Sequence, residues 1–113
     1  MLPGLKNSAT DCIKNGLILS KQLSVSIVRF DQIHPVVSGN KLFKLHHFLQ
    51  DHEAGSTLVT FGGAYSNHLV ATAFACKEKN TPCVGIVRGE KPASLSKTLT
   101  DCINYGMQLK YFN

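Results

Sequence analysis

Short apolar runs that alternate with helical patterns constrain the fold of this chain more than any other feature. Residues 57–61 and 83–87 are rich in Val, Ile and Phe and lie between polar or glycine-containing turns, as buried strands do. Residues 24–30 predict an earlier strand, which we take as the first element, and residues 107–112 predict a last one. The connections are too long for hairpins, so we expect an α/β fold: a parallel sheet with helices on its faces.

Three amphipathic segments between these runs predict helices. The first is expected to begin near Asn40 and to end near Gly55. Between residues 40 and 50 it has apolar residues at three- and four-residue spacing, which places them on one face: Leu42, Leu45, Phe48 and Leu49. The second, residues 67–79, can be capped by Ser66 or Asn67. The third covers about residues 96–105. With 113 residues and 43% hydrophobic side chains, residues 1–113 are expected to form a single α/β unit.

Charge and hydropathy exclude several classes of function. The formal net charge of +5 comes from lysine and arginine residues that are scattered from Lys6 to Lys110, a pattern that does not favour nucleic-acid binding. No apolar stretch approaches the roughly 20 residues that span a bilayer, and residues 1–14 lack the apolar core of a signal peptide. We therefore expect a cytoplasmic protein without nucleic-acid or membrane partners.

Cysteine and histidine residues give no metal-binding pattern. The four cysteines contain no C-x-x-C pair and are expected to be buried free thiols. His46, His47 and His52 lie at spacings that do not share one helical face. The sequence therefore predicts no metal site.

Lys41 is the first residue with a candidate chemical role. On a helical wheel it falls between Leu45 and Phe48, on the predicted inward stripe. Desolvation disfavours the ammonium form of a lysine, and the free amine is a nucleophile toward an aldehyde. The alternative is that this side chain, in the first helical turn, extends to water. The wheel alone leaves both readings open.

The segment 62–68, Gly-Gly-Ala-Tyr-Ser-Asn-His, joins the end of a predicted parallel strand to the start of a helix. Open α/β sheets place ligands at such junctions, where backbone N–H groups and the helix dipole favour anions. An ordinary strand-to-helix turn with a cap has the same composition. The segment lacks G-x-G-x-x-G, and no G-x-x-x-x-G-K-[ST] occurs in the chain, so dinucleotide and nucleoside triphosphate binding lose their main support.

Two motifs together resemble a known family. Residues 38–45, Ser-Gly-Asn-Lys-Leu-Phe-Lys-Leu, and residues 62–68 follow the pattern and spacing of D-cysteine desulfhydrases and 1-aminocyclopropane-1-carboxylate (ACC) deaminases, which use pyridoxal 5'-phosphate (PLP). The similarity extends from residues 28–31 to residues 106–109. It implies the fold type II architecture, similar to the β subunit of tryptophan synthase, with this chain as an N-terminal fragment of a two-domain enzyme.

The resemblance assigns the cofactor side of the site to the first motif. It implies that Lys41 forms the Schiff base with PLP. Asn40 and Lys44 would flank it as cofactor-binding or anion-binding residues.

The substrate side is assigned to the second motif. Ser66 would lie beside the substrate α-carbon and carboxylate as a proton-transfer group, and Asn67 would contact the cofactor ring oxygen or the carboxylate. His68 follows the family pattern on the substrate side. Ser38 stands where deaminases commonly have Gly, and His68 where they often have Gln; both differences lean away from a strict ACC deaminase.

The activity that the resemblance implies is deamination or desulfhydration, by elimination, of a small amino acid such as D-cysteine or ACC. The family's phosphate loop and pyridine-nitrogen partner lie in its C-terminal half, so residues 1–113 alone are expected to be inactive. A homo-oligomer, or association with a separate C-terminal half, would then complete the site. The alternative is an inactive truncated α/β module with at most weak anion binding.

Overall fold

The computed structural model describes residues 8–113. Its strands are β1 (Thr10–Ile13), β2 (Val25–Val28), β3 (Leu58–Gly62), β4 (Cys83–Arg88) and β5 (Gln108–Phe112). Its helices are α1 (Gly16–Ser20), α2 (Asn40–Gln50), α3 (Asn67–Glu78) and α4 (Lys97–Asn104), with a short 3₁₀ turn at Phe30–Gln32.

A three-stranded parallel sheet in the order β3-β4-β5 forms the centre of the fold. The two connections, through α3 and α4, run in the same direction across the sheet. Because such crossovers are right-handed, both helices lie on one face. The predicted α/β class with a parallel sheet and flanking helices is confirmed.

The main core lies between this sheet and the two helices. Its largest fully buried side chains include Leu69 and Cys76 of α3, Leu99 and Cys102 of α4, and Val87 of β4. Strand β4 is central and alternates buried with less buried residues, as a strand covered on one face does. Burying these side chains supplies most of the hydrophobic stabilisation of the domain.

Helix α2 packs mainly against α3. A second cluster joins Val37 and Leu45 to Ala71 of α3, with Leu42 and Leu49 beside them. The predicted start of α2 is confirmed, but the helix ends at Gln50 and not near Gly55 as predicted. The predicted apolar face is confirmed except at its Phe48, which is 70% exposed. The buried stripe of α2 is therefore rotated away from the side on which Phe48 lies.

The N-terminal strand is where the sequence interpretation was wrong. The predicted strand at residues 24–30 exists as β2, but it pairs antiparallel with β1 in a separate two-stranded sheet, in a register that matches Thr10 with Val28. It is neither the first strand nor part of the parallel sheet. Arg29 fixes the end of this hairpin through a bidentate contact with Asp31 and a 2.6 Å contact with Asp11. These ion pairs are exposed, and they keep the pKa of Asp31 below its usual value.

The cysteine prediction holds for three of the four residues. Cys76, Cys83 and Cys102 are buried free thiols, whereas Cys12 on β1 is exposed. Burial raises the pKa of the Cys102 thiol to about 11, so it stays protonated and unreactive at neutral pH. Within residues 8–113, no helix has the length and apolar composition to cross a membrane, and no His, Cys, Asp and Glu side chains cluster as metal ligands do.

Candidate active site

The start of α2 brings the first motif into position. Gly39 precedes the helix with a φ of +61°, a conformation that side chains other than glycine rarely adopt. Its N–H donates to the carbonyl of Phe30 at 2.9 Å and so closes the loop that follows the 3₁₀ turn. The ring of Phe43 packs 5.1 Å from the ring of Phe30 and fixes the same junction from the helix side. These contacts fix the start of α2, and with it the positions of Asn40 and Lys41.

The loop between β3 and α3 is packed tightly at its first glycine. A Cβ atom at Gly62 would lie 2.7 Å from both the Leu69 Cγ and the Ser66 Oγ, whereas one at Gly63 would meet nothing within 4 Å. The Ser66 carbonyl accepts the first hydrogen bond of α3, from the Leu69 N–H at 3.1 Å. Ser66 is thus the N-cap residue, as predicted, but its side chain makes no capping hydrogen bond.

A serine from the next helix holds this loop from the other side. The Ser96 hydroxyl donates to the carbonyl of Ala64, and its oxygen accepts the N–H of Leu99 as the cap of α4. One hydroxyl therefore satisfies a loop carbonyl and a helix N-terminus together. The starts of α3 and α4 are tied to each other through it.

The two motifs meet in one cavity of about 540 Å³. Lys41 and Asn40 line it from the start of α2, and Asn67 lines it from the start of α3. Its other walls are Pro35, Val36 and Ser38 of the preceding loop, Val70 of α3, and Lys97, Thr98, Asp101 and Tyr105 of α4. The volume falls in the range of small-molecule sites. The predicted proximity of Lys41 to the start of α3 is thus present in the structure.

Lys41 is half-buried, and its Nζ donates to the side-chain oxygen of Asn40 at 2.8 Å. Its position on the helical wheel next to Phe48 does not bury it, because that flank of α2 faces solvent. The structure therefore lies between the two readings of the helical wheel, since Lys41 is neither fully buried nor fully exposed. What its place at the helix start provides is an amine at the rim of a polar cavity.

His68 lies on the covered side of the sheet beside two lysines. Its Nε2 is 2.7 Å from the Thr60 hydroxyl of β3. Desolvation by burial lowers the pKa of His68, and the nearby charges of Lys41 and Lys44 lower it further. His68 is therefore neutral at physiological pH and belongs to the same electrostatic environment as Lys41.

The remaining predicted residues are distributed unevenly around the cavity. Ser66 adjoins Asn67 but is not among the residues that line the cavity, and Lys44 is exposed on the next turn of α2. Sequence reasoning missed the contribution of α4, where Lys97 Nζ pairs with Asp101 Oδ2 at 2.6 Å, a contact that raises the pKa of Lys97. The i, i+4 spacing of Lys97 and Asp101 was visible in the sequence as a helix pair, but nothing local placed it near Lys41.

This chain is similar in sequence to a plant protein. It is 38% identical over 68 residues to a protein of Oryza sativa subsp. japonica described as "Putative D-cysteine desulfhydrase 2, mitochondrial". This alignment covers 58% of the chain and 17% of the rice protein. No family model matches the chain.

The fold matches a solved structure over nearly its whole length. An ACC deaminase homologue superposes with a TM-score of 0.74 and 24% sequence identity, covering 94% of this chain and 32% of the homologue. The chain thus spans about a third of that structure and about a sixth of the rice protein. The sequence match and the shared fold together confirm the predicted resemblance of this chain, as a segment much shorter than its relatives, to the D-cysteine desulfhydrase and ACC deaminase family.

Proposed function

We propose that this chain contributes part of the active site of a PLP-dependent deaminase or desulfhydrase that acts on a small amino acid, such as D-cysteine or ACC. The observation that carries the proposal is the shared cavity of Lys41 and Asn67, because it joins the two motifs that resemble the family. A cytoplasmic location and an oligomeric assembly stay predictions.

The residues around the cavity are compatible with PLP. Lys41 offers an amine for the aldehyde, and the Asn67 amide can hydrogen-bond to the ring oxygen. The free backbone N–H groups at the start of α3 can bind an anion. When bound, the cofactor would supply an electron sink for the charge that develops at the substrate α-carbon.

We propose one role for each residue. Lys41 would hold the cofactor through its amine, which Asn40 orients through the 2.8 Å hydrogen bond. Asn67 holds the ring oxygen or the substrate carboxylate, and Ser66, at the same helix start, moves a proton at the substrate α-carbon. Lys41 and Lys44 both lower the pKa of His68, so these three residues share one electrostatic environment.

The cavity walls within residues 8–113 supply an amine, amides and hydroxyls but no glycine-rich phosphate loop like the family's. We propose that the rest of the site comes from further protein, in the same chain or another. This is consistent with the chain matching only 32% of the ACC deaminase homologue. Residues 1–113 by themselves are then expected to bind PLP weakly and to release neither pyruvate from D-cysteine nor 2-oxobutanoate from ACC.

Covalent trapping tests the assignment of Lys41. The 113-residue chain is incubated with PLP and reduced with borohydride, and the labelled peptide is identified by mass spectrometry. We expect the label on Lys41, at a level well above that on Lys44 and Lys110. A Lys41→Ala variant should lose the specific label, and the matched Lys44→Ala variant should keep it.

Two outcomes would count against the proposal. Equal labelling of all lysines would show that the cavity does not select Lys41, and the inactive α/β module would then be the better description. Robust turnover by residues 1–113 alone would contradict the idea that the site is incomplete.

A further inference from the structure

His34 accepts two backbone hydrogen bonds in the loop before α2. Its Nδ1 lies 2.9 Å from the N of Val37 and 3.1 Å from the N of Val36, and both N–H groups donate to it. An imidazole nitrogen accepts only when it carries no proton. The hydrogen-bond pattern therefore assigns the proton of the neutral ring to Nε2.

The loop needs this acceptor because of its own sequence. Pro35 has no N–H and restricts the backbone, and the N–H groups of Val36 and Val37 lie in a loop, where they donate to the His34 ring. Val37 is only 4% exposed and packs against Leu45 and Ala71. A buried N–H without an acceptor is costly, and the His34 ring supplies one. The ring itself is held by Phe74 of α3, with centroids 5.1 Å apart.

The same loop forms a wall of the cavity. Pro35 and Val36 line it together with Lys41 and Asn67. We propose that His34 is a positioning residue: through Nδ1 it holds the turn at residues 35–37 in place and thereby sets the cavity wall beside Lys41. A role of Lys41 in cofactor binding rests on the proposed function. The hydrogen bonds by which His34 positions residues 35–37 do not depend on it.

Two substitutions distinguish the role of His34 as a hydrogen-bond acceptor from the packing of its ring. His34→Asn keeps an acceptor, since an asparagine oxygen can bond the N–H groups two and three residues ahead. His34→Phe keeps an aromatic ring against Phe74 but removes the acceptor. We expect amide hydrogen exchange at Val36 and Val37 to rise about tenfold in His34→Phe and to change little in His34→Asn. Lys41 reactivity toward reductive methylation, relative to Lys44, should change in His34→Phe only.

The amides of Val87 and Leu99 in the main core serve as a control for global unfolding. Their hydrogen exchange should stay slow in both variants if only the loop is affected. If His34→Phe is too unstable to study, nuclear magnetic resonance of the wild-type chain tests the proposal. Its ring ¹⁵N shifts should show an unprotonated Nδ1 and a protonated Nε2.

A protonated Nδ1, or unchanged exchange at Val36 and Val37 in a folded His34→Phe variant, would overturn the proposal. None of these readouts uses PLP. Loss of selective PLP labelling at Lys41 would therefore contradict the proposed function but not the role of His34 in the loop. Conversely, unchanged amide exchange in His34→Phe with selective labelling of Lys41 would contradict only the role of His34.

Discussion

The two faces of the parallel sheet differ sharply in how they are covered. On the helix side, Val87 is 1% exposed and Leu69 of α3 is fully buried above the strands. On the other side, Val59, Phe61 and Phe112 are 54%, 69% and 71% exposed, because no helix of the described residues lies there. Strand alternation sends apolar residues to both sides, which is typical of a sheet that is covered on both faces. The comparison indicates that the buried core on the helix side supplies most of the stability, and that the opposite face of the sheet is available for association.

The candidate site belongs to the covered side. Lys41, Asn67 and Lys97 reach the cavity from helices that pack on that side or outside it. A groove of about 410 Å³ on the open side is lined by Phe61, Ile86, Phe112 and neighbouring residues at the carboxyl ends of the strands. Substitutions that distinguish the two faces therefore also separate effects on the site from effects on association.

The largest expected effect is on the covered face. Leu69→Ala removes a side chain that is 0% exposed and contacts both the sheet and the Gly62 turn. We expect the free energy of unfolding to fall by about 2–5 kcal/mol. Urea titration followed by circular dichroism measures it. A loss below about 1 kcal/mol would mean that the helix-side core is less tightly packed than the structure indicates.

A matched pair of valines compares the faces directly. Val87→Ala should cost about 2 kcal/mol, because the side chain is buried in the main core. Val59→Ala makes the same truncation on the open face and should change the free energy of unfolding by about 0.5 kcal/mol or less. Equal costs for the two variants would show that the open face is covered in solution, for example by self-association.

The two adjacent glycines of the β3–α3 loop form a second pair. Gly62→Ala places a methyl group 2.7 Å from atoms of Leu69 and Ser66 and should destabilise the chain by about 1–3 kcal/mol. It should also reduce PLP labelling of Lys41, because the start of α3 must shift. Gly63→Ala has open space and should be tolerated. Thermal unfolding and the trapping assay together test both variants, and similar behaviour of the two would contradict the close packing at Gly62.

Association through the open face is tested by Phe61→Ser. The side chain is 69% exposed, so the free energy of unfolding should change by about 0.5 kcal/mol or less. Self-association should decrease, since a large exposed apolar group on a sheet face promotes it. Sedimentation at several concentrations distinguishes these effects. A wild-type chain that stays monomeric at high concentration would show that the open face does not associate.

The smallest effect is a pH dependence on the covered side. The folded pKa of His68 lies below its ordinary value of 6.5, first because of burial and then because of Lys41 and Lys44. The unfolded chain therefore takes up the proton more readily, and the stability that neutral His68 contributes is present above about pH 6.5 and is lost as the pH falls toward the folded pKa. Replacing His68 with Gln should flatten this decline.

Nuclear magnetic resonance provides a control for that prediction. Lys41→Ala or Lys44→Ala should each raise the pKa of His68, because each removes a neighbouring positive charge. A His68 pKa that does not respond to either substitution would contradict the shared electrostatic environment.

The elements that could be predicted from sequence are those with a strong local pattern. Helix α2 begins at Asn40 as expected but ends at Gln50 and not near Gly55, and β3, β4 and β5 deviate from their predicted bounds by one residue. In contrast, β1 was missed, because Thr10–Ile13 is short and half polar. β2 was recognised as a strand but assigned to the wrong sheet, because its apolar composition says nothing about which strand pairs with it.

What the sequence by itself determined is therefore the set of strong local elements and the two motifs that resemble the desulfhydrase and deaminase family. Only the tertiary structure decided that both sheet-packed helices lie on one face, that Phe48 faces solvent while Leu45 is buried, and that Lys97 and Asp101 join Lys41 and Asn67 around one cavity. The physical reason is the distance along the chain over which each interaction acts. Periodicity and capping act over a few residues, whereas strand order, crossover handedness and packing join residues that are 26 to 60 positions apart in the chain, as Lys41 is from Asn67 and from Asp101.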